Sequence, residues 1–132
     1  MRLLTTTALL LSSPLLAQTN EPLSGNAFEA WVTGQTYYSS RAGEDPYGML
    51  LYRENRQVTW ASFGNDCVEG YWTEPQPGVI CFDYPSLNDQ FCWQFFADGP
   101  ELFSVFFEGD GSVYYDQPTT DTLPCLAPYL GA

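Results

Sequence analysis

The chain of 132 residues carries sixteen acidic residues against four arginines, with no lysine and no histidine, for a formal net charge of −12. That balance repels phosphate backbones and anionic head groups, which sets aside nucleic acid and membrane surfaces as partners. Without histidine or lysine there is no Ser-His-Asp or Cys-His triad, no imidazole-ligated metal and no lysine catalysis; a glycosidase-type carboxylate pair is the catalytic option that remains.

The N-terminus has the pattern of an export signal. Arg2 supplies the positive start, residues 3–11 a short, mostly apolar run, and Pro14-Leu15-Leu16-Ala17 a cleavage site ending in a small residue. The expected division is therefore a signal peptide at residues 1–17 and a single domain at 18–132. The apolar run falls well short of the roughly 20 residues that cross a bilayer, so no membrane insertion is expected. No cysteine lies near Ala17 to take a lipid, which points to release into the periplasm or beyond.

A short, extended leader precedes the one expected helix. Asn26 can cap it, Glu29 stands three residues later as in a capping box, and Gly34 stops it. Phe28, Trp31 and Val32 fall on one face, fit to plug an end or side of a sheet. From Thr36 onward, short runs of aromatic and β-branched residues alternate with turn residues at intervals of about 8 to 12, the signature of an all-β sandwich or barrel. Strands are predicted at 36–39, 47–53, 57–63, 68–73, 79–84, 91–97, 102–108 and 112–116. Asp98-Gly99 and Asp110-Gly111 are hairpin signals, because a tight primed turn needs positive φ. The short links predict an antiparallel meander of about seven or eight strands, closed or nearly closed as a small up-and-down barrel.

Four cysteines, Cys67, Cys81, Cys92 and Cys125, suit two disulfides in an exported chain; there is no C-x-x-C pair of the kind structural zinc prefers. Spacing alone leaves three connectivities open. The strands around residues 85–89 offer a test: one register sets Ile80 opposite Trp93 and Phe82 opposite Phe91 on one face, and Cys81 opposite Cys92 on the other. This favours Cys81–Cys92 and, by elimination, Cys67–Cys125, which would tie the Pro- and Thr-rich tail at 117–132 to the barrel.

The aromatic residues mark the interior. Val58 with Trp60, Val68 with Trp72, Ile80 with Phe82, Phe91 with Trp93 and Phe95, and Phe103 with Val105 are expected to face inward. Tyr71, Phe96, Phe106 and Tyr114 are assigned to the opposite faces, packed under the helix and tail or open to a partner. Glu108, Asp110 and Ser112 alternate around a turn but fall short of a calcium loop, and read as a solvated hairpin tip. No metal and no cofactor is expected.

The runs Cys67-Val68-Glu69-Gly70-Tyr71-Trp72, Ile80-Cys81-Phe82-Asp83-Tyr84 and Cys92-Trp93 together form a C-x-x-G-x-W, C-F-x-Y, C-W pattern. With Phe28-Glu29-Ala30-Trp31-Val32-Thr33-Gly34 before it, the pattern resembles small exported proteins of α-proteobacterial type, over about residues 23–116. The resemblance implies export and a disulfide-bearing β-domain, and carries neither an activity nor catalytic residues. The leading functional expectation is a non-enzymatic binding or interaction module. One version is an inhibitor or accessory protein of an exported hydrolase, presenting the loop at 75–78 or 85–89 to that protein. The alternatives are a calycin-like carrier of a small apolar ligand, which needs interior rings that leave space, and a structural envelope component.

Overall fold

The computed structural model describes residues 21–64 and 66–126; the expected export segment at 1–17 lies outside the described residues. One helix, α1 (Gly25–Val32), is followed by eight strands: β1 (Thr36–Arg41), β2 (Gly48–Tyr52), β3 (Gln57–Ser62), β4 (Val68–Gln76), β5 (Val79–Tyr84), β6 (Asp89–Asp98), β7 (Glu101–Phe106) and β8 (Val113–Thr119). Every strand pairs antiparallel with the next, and β8 returns to β1 to close the barrel. Closure leaves no sheet edge exposed. No helix among the described residues is long and apolar enough to cross a membrane.

The interior follows from the alternation of side chains along each strand. In β5 and β6 the register pairs Ile80 with Trp93, Cys81 with Cys92 and Phe82 with Phe91, as the sequence indicated. Disulfides join Cys81 to Cys92 and Cys67 to Cys125. In β7 the expectation was inverted. The hairpin at Asp98 and Glu101 places Ser104 opposite Phe95 and Phe106 opposite Trp93, so Leu102, Ser104 and Phe106 point inward and Phe103 and Val105 outward. On the outer surface Phe103 stacks on Phe96 at 4.8 Å. Tyr114 and Phe106, read from the sequence as outward residues, both belong to the interior.

The helix closes one end of the barrel. Its cap is Ser24, whose hydroxyl accepts from the Ala27 amide at 3.2 Å, so Asn26, the expected cap, sits inside the first turn. Gly25, Phe28 and Val32 are buried, while Trp31 is 37% exposed. At about 100° per residue Trp31 sits roughly 60° off Phe28, and a single-ended plug buries only a narrow stripe. The Phe28 ring meets Tyr52, Trp72, Phe82 and Phe95 at centroid distances of 5.6, 5.0, 6.4 and 4.5 Å. Arg56 bridges to Glu29 at 3.3 Å and lies over the Trp72 ring at 4.5 Å. A bulge in β4 turns Glu74 toward the helix, where its carboxylate accepts from the amides of Gly25 (2.7 Å) and Gly78 (3.0 Å). Those two amides hold the carboxyl of Glu74 below its ordinary range.

The tail begins later than expected. Residues 117–119 belong to β8 and pair with β1, with Pro118 opposite Tyr37. Beyond them, Leu123 is buried with Met49 and Ala61 on the outside of the barrel, next to the Cys67–Cys125 bridge. The tail is thus held by an apolar contact and by a hydrogen bond from Tyr38 to Asp121 as well as by its disulfide.

Candidate functional site

With α1 plugging one end, the opposite end of the barrel stays open. There the C-terminal halves of β1, β3, β5 and β7 and the N-terminal halves of β2, β6 and β8 line a cavity of about 450 Å³. This lies within the roughly 300 to 1,000 Å³ typical of small-molecule sites. Its floor is Phe82 and Phe95, whose rings lie 6.0 Å apart and rest on Phe28 of the plug. One wall is Trp93, stacked on Phe106 at 3.6 Å, with Tyr114 edge-on to both at 4.9 and 5.6 Å. The lining continues with Trp60 against Tyr47 at 5.5 Å, and with Tyr84 against Phe91 at 6.3 Å.

Close packing of backbone and ring keeps these walls thin. A Cβ on Gly48 would run into the Trp60 ring and the Ala61 carbonyl, and one on Gly70 would lie 2.7 Å from the Tyr84 ring. Glycine at both positions lets a large ring lie flat along the barrel wall.

The polar groups are few. Asp116 of β8 is only 5% exposed and lines the cavity. Ser39 of β1, directly opposite it in the register, donates to Asp116 Oδ1 at 2.6 Å. Burial pushes the Asp116 carboxyl up to about 6, against the smaller opposing effect of the Ser39 hydrogen bond. The surrounding phenols respond in turn. Tyr37 is pushed up to about 12, first by burial and then by the Asp116 charge. Tyr47 and Tyr52 rise for the same two reasons in the same order, and Tyr84 rises through burial, Tyr47 and Asp116. The Tyr52 hydroxyl is buried with no hydrogen-bond partner among the described residues. At the mouth, Arg41 donates to the Tyr114 hydroxyl at 3.0 Å and lies 5.5 Å from that ring's centre, with Glu44 also on the rim.

The two loops singled out from the sequence have different surroundings. The 75–78 loop sits at the plugged end, beside the Glu74 contacts to Gly25 and Gly78. The 85–89 loop forms a 3-10 turn, Pro85–Leu87, at the cavity mouth, where Leu87 is 51% exposed. At the hairpin tip, Asp110 accepts from the Ser112 amide at 2.9 Å, a contact that closes the turn. Among the described residues there is no group of three or more side chains placed to hold a metal ion.

Of the rings taken as interior from the sequence, Trp60, Phe82, Phe91, Trp93 and Phe95 all line the cavity. Ser39, Ser104, Tyr114 and Asp116 were missed as lining residues. The available signal was phase: in β1 and β8, Tyr37-x-Ser39 and Tyr114-x-Asp116 each set a small polar residue two places from a ring, on the same face. Comparison of the chain with protein-family models, with curated proteins and with solved structures returned no match.

Proposed function

We propose that this protein is a non-enzymatic, exported carrier or receptor for a small molecule with a largely apolar body, held in the open end of the barrel. The observation that supports this most directly is the 450 Å³ aromatic cavity above the Phe82 and Phe95 floor. Rings that merely filled a core would pack to crystal-like density and leave no such space. Mostly apolar walls with a few placed polar groups are the usual make-up of a ligand site. Export is supported by the pattern at residues 1–17 and by the two disulfides, which persist in oxidising compartments. Engagement of Glu74 with Gly25 and Gly78 favours this reading over one in which the 75–78 loop is presented to a partner protein.

The reading is tested with the neutral fluorescent probe N-phenyl-1-naphthylamine and the variant Ser104→Leu, which fills the cavity from its wall. Saturable one-to-one enhancement in the native protein, weakened about tenfold or more in a variant with unchanged circular dichroism, is expected. Non-saturable enhancement, or equal binding by the variant, would remove the cavity as the binding site.

A further inference from the structure

The polar groups inside the cavity specify the ligand's charge. We propose that the cavity selects a protonated organic amine with an aromatic or aliphatic body, Asp116 serving as its counter-ion and the surrounding rings as its cage. This inference rests on the cavity being the binding site and adds the chemical class of the occupant.

Three observations carry it. First, Asp116 is nine-tenths buried and lines the cavity, and among the described residues only Ser39 donates to it, at Oδ1. Oδ2 is left to accept from whatever occupies the cavity. A buried carboxylate in that condition is disfavoured unless it is paired. Second, the walls are ring faces and edges from Tyr47, Trp60, Tyr84, Trp93 and Tyr114, and a cation is attracted to aromatic faces. Third, the chain's net charge of −12, with Glu44 on the rim, draws cations toward the mouth.

Other occupants fit less well. An anion would meet Asp116 inside and Glu44 at the rim, while Arg41, the cation at the mouth, is engaged with Tyr114. A neutral molecule would leave an ionised Asp116 uncompensated. A divalent metal ion needs several oxygen ligands, and the cavity offers a single buried carboxylate. A primary, secondary or tertiary ammonium supplies both a positive charge and an N–H for Oδ2, a charge-assisted hydrogen bond stronger than its neutral counterpart.

The groups facing Asp116 are Ser39 and Tyr37 from β1, Tyr47 and Tyr52 before and within β2, and Tyr84 from β5. All four phenols are shifted upward and stay neutral in mild acid and at neutral pH. Arg41 and Glu44 sit at the mouth with opposite charges. Amine binding should therefore weaken as the medium is acidified through about pH 6, where Asp116 takes up its proton.

The test is isothermal titration of the native protein with three probes that share one ring: 2-phenylethylamine, 2-phenylethanol and phenylacetate. At neutral pH the amine is expected to bind about tenfold or more tightly than the alcohol, with phenylacetate weakest. The preference should shrink in acid and vanish in Asp116→Asn, which should still take the alcohol. Equal binding of amine and alcohol, or an unchanged preference in Asp116→Asn, would overturn the charge assignment while leaving the cavity as a site. No binding of any probe would overturn both readings. If Asp116→Asn does not fold, the ratio of amine to alcohol in the native protein and its pH dependence decide the matter.

Discussion

Replacing Asp116 by asparagine should stabilise the unliganded protein above neutral pH and lose that advantage in acid. In the fold the carboxyl is raised from 3.8 to about 6, chiefly by burial. That shift corresponds to about 3 kcal/mol by which folding disfavours the ionised form. The sign follows from proton binding. Between 3.8 and about 6 the folded chain keeps a proton that the unfolded chain has released, so this group's contribution to stability falls as pH rises through that window. The full penalty applies above about 6, and none below 3.8. Asparagine keeps the shape and an oxygen for Ser39, but carries no charge. Any fixed packing change in the variant appears at both pH values and cancels in the comparison. Relative to the native protein, the variant should gain about 2 to 3 kcal/mol between pH about 4 and about 8, or roughly 8 to 12 °C in Tm for a domain of this size. Urea unfolding followed by tryptophan emission, with the disulfides intact, measures the difference. A variant that gains nothing, or becomes relatively less stable as pH rises, would show that Asp116 is a paired and stabilising carboxylate, and would undo the case for a counter-ion awaiting a ligand. A charge kept in a cavity at a cost in stability is the usual trade of a functional site.

Three further outcomes are expected. Phe28→Ala should destabilise by about 3 to 5 kcal/mol, since the ring fills the space between Tyr52, Trp72, Phe82 and Phe95; a loss under about 1 kcal/mol in urea would mean that the helix does not plug the barrel. Removing Cys67–Cys125 by paired alanine substitution should cost about 4 kcal/mol and removing Cys81–Cys92 about 3, because the bridges span 58 and 11 residues; chemical unfolding of both variants should show the longer bridge contributing more. Gly48→Ala should force the Trp60 ring off the wall, costing about 1 to 3 kcal/mol and weakening uptake of a neutral aromatic probe; unchanged affinity would show that Trp60 does not shape the cavity.

The fold was legible where one residue pattern constrained two faces at once. Ile80 with Trp93 and Phe82 with Phe91 specify the same register that brings Cys81 to Cys92, so the hairpin and its bridge could be read together. β7 was misread because Phe103 and Val105 look like a core face, while the residues that turn inward include Ser104. The inward polar position has a reason outside the strand: it borders a cavity. The same holds for Ser39 and Asp116, which strand phase sets on the ring-bearing face but which meet only when β8 closes on β1. Their contact spans 77 residues, and nothing in either segment alone announces it. The helix cap moved for a simpler reason, since Ser24 and Asn26 are both good caps and the Glu74 contact with the Gly25 amide favours a helix that begins at Gly25.

The most direct test of the cavity as a binding site is a titration of isotope-labelled protein with 2-phenylethylamine, followed by two-dimensional nitrogen–proton NMR. Saturable shifts confined to the open end are expected, at the indole N–H groups of Trp60 and Trp93 and the backbone amides of Ser39, Ser104 and Asp116, with the amides of α1 unmoved. Shifts that do not saturate, or that map to the outer face around Phe96 and Phe103, would contradict it.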